Sequence, residues 1–177
     1  MSRRAIATFA AALMALGSVG LAPSTAGAVA SCFDRAATIT SNAEFVPGTD
    51  NNDVIITGDA ENGVVAHPGD DRVCTGAGAD FVRGDLGDDL INTGPGNDKV
   101  SGGDLNFDNP SGNDTILGGG GGDELNGHDG ADTLRGGPGS DILRGGPGAD
   151  VLVGGLGHDT CDPGPGRDEV RGCERIL

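Results

Sequence analysis

The sequence has no tryptophan, no tyrosine and only five phenylalanines among 177 residues. A core of large interlocking side chains is therefore not available to it. Positive charge is also scarce: 11 Lys and Arg stand against 27 Asp and Glu, a formal net charge of −16. Nucleic acid and anionic lipid both demand a basic partner, so neither is expected. Cations suit the chain instead. There is no G-x-S-x-G, no H-E-x-x-H and no paired nucleophile and base, so no enzyme is expected.

Long apolar runs are absent except at the start. Arg3 and Arg4 precede an apolar run from Ala5 to Leu21, then Pro23, Ser24 and the small residues Ala26 to Ala30. That order reads as a secretory signal over residues 1–30, cut after Ala30. The rival reading, a transmembrane anchor, has a short and alanine-rich run in its disfavour. Two of the 11 basic residues and no acidic residue lie in this leader, so the remainder carries nine against 27, a net charge of −18. Secretion to the extracellular space follows as an expectation.

What is abundant is glycine: 35 residues, with nine prolines. Without a period such a composition means disorder. Here there is a period of nine. Gly136-Gly137-Pro138-Gly139-Ser140-Asp141-Ile142-Leu143-Arg144 is followed in register by Gly145 to Val153 and Gly154 to Asp162. Thirteen units span residues 48–171, interrupted by seven extra residues placed at 105–111. Position six is Asp in 12 of the 13: Asp53, Asp71, Asp80, Asp89, Asp98, Asp114, Asp123, Asp132, Asp141, Asp150, Asp159 and Asp168, with Asn62 the exception. Position eight is aliphatic in 12 of 13, with Cys161 the exception, and position four is Gly in 11 of 13.

This unit resembles G-G-x-G-x-D-x-U-x, the calcium-binding nonapeptide of the RTX (haemolysin-type) repeat proteins. The resemblance implies an all-β fold, a parallel β-roll with two units per turn and ions held between stacked loops. The residues support the same chemistry independently. Glycines at positions one, two and four allow positive φ and tight turns, so backbone carbonyls converge while the position-six carboxylate adds charge. Hard oxygen donors suit Ca²⁺, whereas zinc would call for His and Cys. Positions seven to nine read as a short strand with position eight inward.

The candidate metal ligands are Asp71, Asp80, Asp89, Asp98, Asp114, Asp123, Asp132, Asp141, Asp150, Asp159 and Asp168, stacked 18 residues apart within the uninterrupted runs. Roughly five to eight ions are expected from loop quality, strongest toward the C-terminus. Two carboxylates about 5 Å apart repel by about 3 kcal/mol at an effective dielectric near 20. A thin aliphatic ladder cannot offset a row of such terms, so the repeats are expected to fold only with calcium.

Four cysteines in an exported chain favour disulfides. Of three possible pairings, Cys32 with Cys74 and Cys161 with Cys173 are preferred, because each pair lies at one end of the array and would staple a cap. The caps are residues 31–47 and 172–177. His67, His128 and His158 read as solvated loop residues. The insert reads as a bulged surface loop or, through Phe107, a contact site. The expected function is a monomeric structural or adhesive calcium-binding module. Its alternatives are an accessory module of a larger extracellular enzyme or toxin system and a calcium-dependent glycan binder with a cell-surface partner.

Overall fold

The computed structural model describes residues 32–104 and 111–177. The leader expected at 1–30 lies outside the described residues, as does most of the insert. Among the described residues there is no helix, and hence none that could cross a membrane.

Sixteen strands run from β1 (Ile39–Thr40) and β2 (Phe45–Pro47) through β3 (Val54–Ile56) and β4 (Gly63–Val65) to β15 (Glu169–Arg171) and β16 (Arg175–Ile176). Odd-numbered strands form one parallel sheet of eight and even-numbered strands the other. Each turn of the chain therefore lays one strand in each sheet, and two nonapeptides make one turn. The expected parallel β-roll is what the chain adopts.

The register follows from the period. Leu134 faces Leu152 and Leu125 faces Leu143, 18 residues apart. Across the insert the step is 25, Ile91 facing Ile116, so the roll absorbs seven extra residues without losing its ladder. Ser111 has a place in the regular loop: its carbonyl accepts from Gly87 N at 2.7 Å, the bond that Leu86 O makes with Gly69 N one turn earlier.

Position eight points inward because side chains alternate along a strand. Ile55, Val64, Val73, Val82, Ile91 and Val100 continue into Ile116, Leu125, Leu134, Leu143, Leu152 and Cys161, all at most 2 % exposed. Fully burying one such aliphatic side chain contributes about 1.5–3 kcal/mol. These residues belong to one continuous cluster between the sheets.

The ends are built from strands. Ile39 pairs with Ile55, and buried Val46 with Val64, so β1 and β2 add a turn before the first full unit. At the far end β16 pairs with the strand Thr160–Asp162, with Cys161 facing Ile176. Disulfides Cys32–Cys74 and Cys161–Cys173 fasten the two ends, with Cα separations of 5.6 and 6.1 Å. Both preferred pairings are present.

Candidate metal centre

The six-residue loops between strands stack along the two edges of the roll. One edge carries the loops that open at residues 48, 66, 84, 102, 127, 145 and 163. The other carries those at 57, 75, 93, 118, 136 and 154.

Stacking is close enough to dictate sequence. At position four, Gly121 has φ +129°, and a Cβ there would collide with Gly96 O of the loop beneath. At position two the left-handed backbone is kept even without glycine: His67, Asp85 and His128 have φ of 73°, 81° and 73°. Position one departs from the expectation. Gly84, Gly102, Gly118, Gly127, Gly136, Gly145 and Gly154 are not in the positive-φ region. Glycine is needed there for space.

The position-six aspartates meet as their spacing predicts. In each stacked pair the Oδ1 of the later Asp accepts the backbone N–H of the earlier one. Asp114 N donates to Asp132 Oδ1 at 2.8 Å, Asp132 N to Asp150 Oδ1 at 2.8 Å, and Asp150 N to Asp168 Oδ1 at 3.0 Å. On the other edge Asp123 N donates to Asp141 Oδ1 and Asp141 N to Asp159 Oδ1, both at 2.9 Å. Asp89 N reaches Asp114 Oδ1 and Asp98 N reaches Asp123 Oδ1 across the longer step, also at 2.9 Å. Asp71 and Asp80 join the same ladders.

The second carboxylate oxygen has no such partner. The Oδ2 atoms of Asp71, Asp80, Asp89, Asp98, Asp114, Asp123, Asp132, Asp141, Asp150 and Asp159 are buried and accept no hydrogen bond, although a buried polar group is normally paired. Burial without a partner favours the neutral acid. It pushes Asp89 up to about 9 and Asp114 and Asp132 up to about 7, with the next carboxylate in the ladder adding to the rise. Burial likewise raises Asp71 and Asp123 to about 6.

In seven loops the orphaned oxygen lies close to a backbone carbonyl. A Cβ built on Gly127 would lie 2.8 Å from Gly145 O and closer still to Asp132 Oδ2. The same cradle recurs beside Gly84, Gly102, Gly118, Gly136 and Gly145, where the carbonyl of the following loop would be 2.5–3.0 Å from such an atom. In the seventh, beside Gly154, the carbonyl is Gly172 O.

These donors are all hard oxygens, the set that Ca²⁺ accepts. Among the described residues no three His, Cys, Asp or Glu side chains cluster as a metal site would require, so a cation here must take backbone carbonyls as well as carboxylate. The loops provide both, and the residues fit calcium.

Not every candidate aspartate sits in such a cradle. Position one is Ala66 in the loop of Asp71, Thr75 in that of Asp80 and Thr93 in that of Asp98. Asp53 is fully engaged: Thr49 donates to its Oδ2 through N at 2.7 Å and Oγ1 at 2.8 Å, and Thr38 Oγ1 to its Oδ1 at 2.9 Å. Asp168 ends its ladder, serving as the partner of Asp150.

One functional residue escaped the periodic reading. Glu174 Oε2 accepts Asp159 N at 2.6 Å, taking the place of a position-six Asp above the last loop of its edge. The only sequence signal was an acid 15 residues on, inside a cap outside the register. The histidines are not metal ligands of a common site. His128 is half-buried, its Nε2 2.7 Å from Ser101 Oγ and 3.1 Å from Asn126 Nδ2, and burial lowers its pKa.

The RTX calcium-binding nonapeptide repeat model matches the chain in four copies, over residues 47–82, 75–106, 111–143 and 135–170. No individual curated protein matches it. RTX repeats bind Ca²⁺, and the roll, its loops and their unpaired carboxylate oxygens are those of such a module: the chain belongs to the RTX calcium-binding nonapeptide repeat family.

Proposed function

We propose that this is a secreted structural protein whose roll is completed by several calcium ions, one in each open loop cradle, and which serves as an extracellular adhesive or matrix module. The observation that carries the reading is the row of buried Oδ2 atoms without a donor. Divalent ions between the loops would satisfy them and cancel the repulsion along each ladder. Two disulfides suit an oxidising compartment, and the leader-like N-terminus supports export. Extracellular calcium is millimolar, so sites with Kd of ~10⁻⁴–10⁻³ M would be filled.

Circular dichroism of the oxidised chain in EGTA, then in millimolar Ca²⁺, tests this. A large gain of β signal on adding calcium is expected. Identical folded spectra in both buffers would overturn the claim that ions complete the fold.

The adhesive role draws on one face. Phe45 and Phe81 stand exposed on the even-numbered sheet either side of Gly63, and the Phe45 ring leans across that glycine, 3.5 Å from where its Cβ would be. Exposed aromatics on a rigid sheet suit stacking on sugar rings. A glycan array probed with and without Ca²⁺ should show calcium-dependent signal that Phe45→Ala and Phe81→Ala remove. Binding that persists in EGTA would exclude a calcium-dependent adhesin.

A further inference from the structure

Resting on the calcium reading above, we infer that the residue at position one, not the aspartate at position six, decides which loops hold an ion, and that threonine hydroxyls replace the ion along the N-terminal half of one edge.

On the edge that opens with residue 57, position one reads Thr57, Thr75, Thr93, then Gly118, Gly136, Gly154. The strands and the aspartate ladder continue unchanged across this switch. The contents of the cradle do not. Beside Gly136 no side chain stands at position one, and a Cβ built there would lie 2.7 Å from Gly154 O and closer still to Asp141 Oδ2. In the threonine loops a side chain does stand at that position. Thr75 Oγ1 donates to Thr93 O at 2.8 Å, and Thr93 Oγ1 donates to Gly118 O at 2.7 Å. The acceptor in both is the position-one carbonyl of the following loop, the atom that faces the unpaired carboxylate oxygen in the glycine loops.

The hydroxyl therefore occupies the ion's space and takes one of its ligands. Thr75 and Thr93 are 2 % and 0 % exposed, so each hydroxyl is held inside the stack, beside an Asp80 or Asp98 Oδ2 that stays unpaired. Thr χ1 is restricted by branching at Cβ, so the side chain does not swing aside cheaply.

The other edge reaches the same end by different means. Ala66, fully buried, puts a methyl group at position one. In the loop before it Thr49 has satisfied Asp53. Thr57 differs, since its Oγ1 and Asn62 Oδ1 are both unpaired, but a buried side chain again stands at position one. Open cradles are thus confined to the seven glycine loops from Gly84 onward.

Native mass spectrometry of the full oxidised chain in calcium counts the ions directly. Seven are expected, one per open cradle. Thr75→Gly with Thr93→Gly should raise the count by about two, and Gly136→Thr should lower it by about one with the β signal retained. Ten or more ions on the wild-type chain, or no gain in the double variant, would overturn the inference. Should the double variant not fold, the wild-type count and Gly136→Thr still decide. A chain that binds no calcium at all overturns the calcium reading itself and this inference with it.

Discussion

The two halves of the roll share one backbone plan and differ in what fills their loops. Before Gly84 the position-one cradle is closed by Thr57, Ala66 and Thr75, and in the first loop Thr49 pairs with Asp53. Beyond Thr93 every loop that has another above it opens on glycine, while the unpaired Oδ2 runs through both halves, from Asp71 to Asp159. The strand registers and the Asp-to-Asp hydrogen bonds are the same in both halves. The contrast teaches that an aspartate ladder is a folding device as well as a proposed ligand set. Oδ1 ties one loop to the next in both halves, and Oδ2 is the atom left for the proposed cation.

The sharpest way to break this contrast is to remove the ion. At calcium one hundred times Kd, each independent site contributes about 2.7 kcal/mol, so stripping several should unfold the C-terminal half while the N-terminal turns resist. Hydrogen exchange in EGTA should show protection lost first in residues 111–171 and kept longest in residues 39–83. Uniform loss across both halves would refute the distinction.

Charge removal sharpens it further. Asp132→Asn keeps an acceptor for Asp114 N but discards a charge in an open cradle, and should weaken calcium binding by roughly tenfold, ~1.4 kcal/mol. Asp80→Asn removes the same charge beside Thr75 and should leave the calcium titration unchanged, with stability within about 0.5 kcal/mol. Isothermal titration of both variants separates the cases. Asn62 shows the roll tolerating this replacement: its N still donates to Asp80 Oδ1 at 2.8 Å.

Acidity should act with opposite sign in the two metal states. In the calcium-free roll Asp89 is pushed up to about 9, and Asp114 and Asp132 to about 7, from an ordinary 3.8. Folded groups with raised values bind more protons than the unfolded chain across that window. Residual β structure in the stripped protein should therefore be greatest near pH 4 and fade as pH rises to about 7, and for Asp89 on toward 9. With calcium bound the same carboxylates are held ionised, so the melting temperature should instead drop on acidification. Melting curves of stripped and loaded protein between pH 4 and pH 8 check both slopes.

The end staples give a smaller effect. Opening Cys161–Cys173 by Cys→Ser at both positions should cost about 3 kcal/mol from loop entropy. It should also loosen the last cradle, which Gly172 and Glu174 complete. Glu174→Gln alone should cost less than opening the disulfide, about 1 kcal/mol, since a neutral acceptor remains for Asp159 N. Chemical denaturation in saturating calcium ranks the two.

Much of this was legible in the chain. The inward ladder from Ile55 to Cys161 recurs at a fixed position, and a nine-residue period with a buried position eight permits little else. The disulfide partners followed from their places at the ends. The gating role proposed for position one was not legible, because it depends on what a Cβ meets in a loop 18 residues away. Glycine there looked like conformational freedom and proved to be space. The end strands escaped for a related reason. Ile39 and Val46 take core places in β1 and β2 without the glycine–aspartate loop that marks the repeat, and Glu174 performs an aspartate's bond from outside the register.

The most direct test is an anomalous difference map from a crystal of the oxidised chain grown in calcium. Peaks are predicted beside Gly84, Gly102, Gly118, Gly127, Gly136, Gly145 and Gly154, with none beside Ala66, Thr75 or Thr93. Peaks of equal height at every aspartate, Asp71, Asp80 and Asp98 included, would contradict the account.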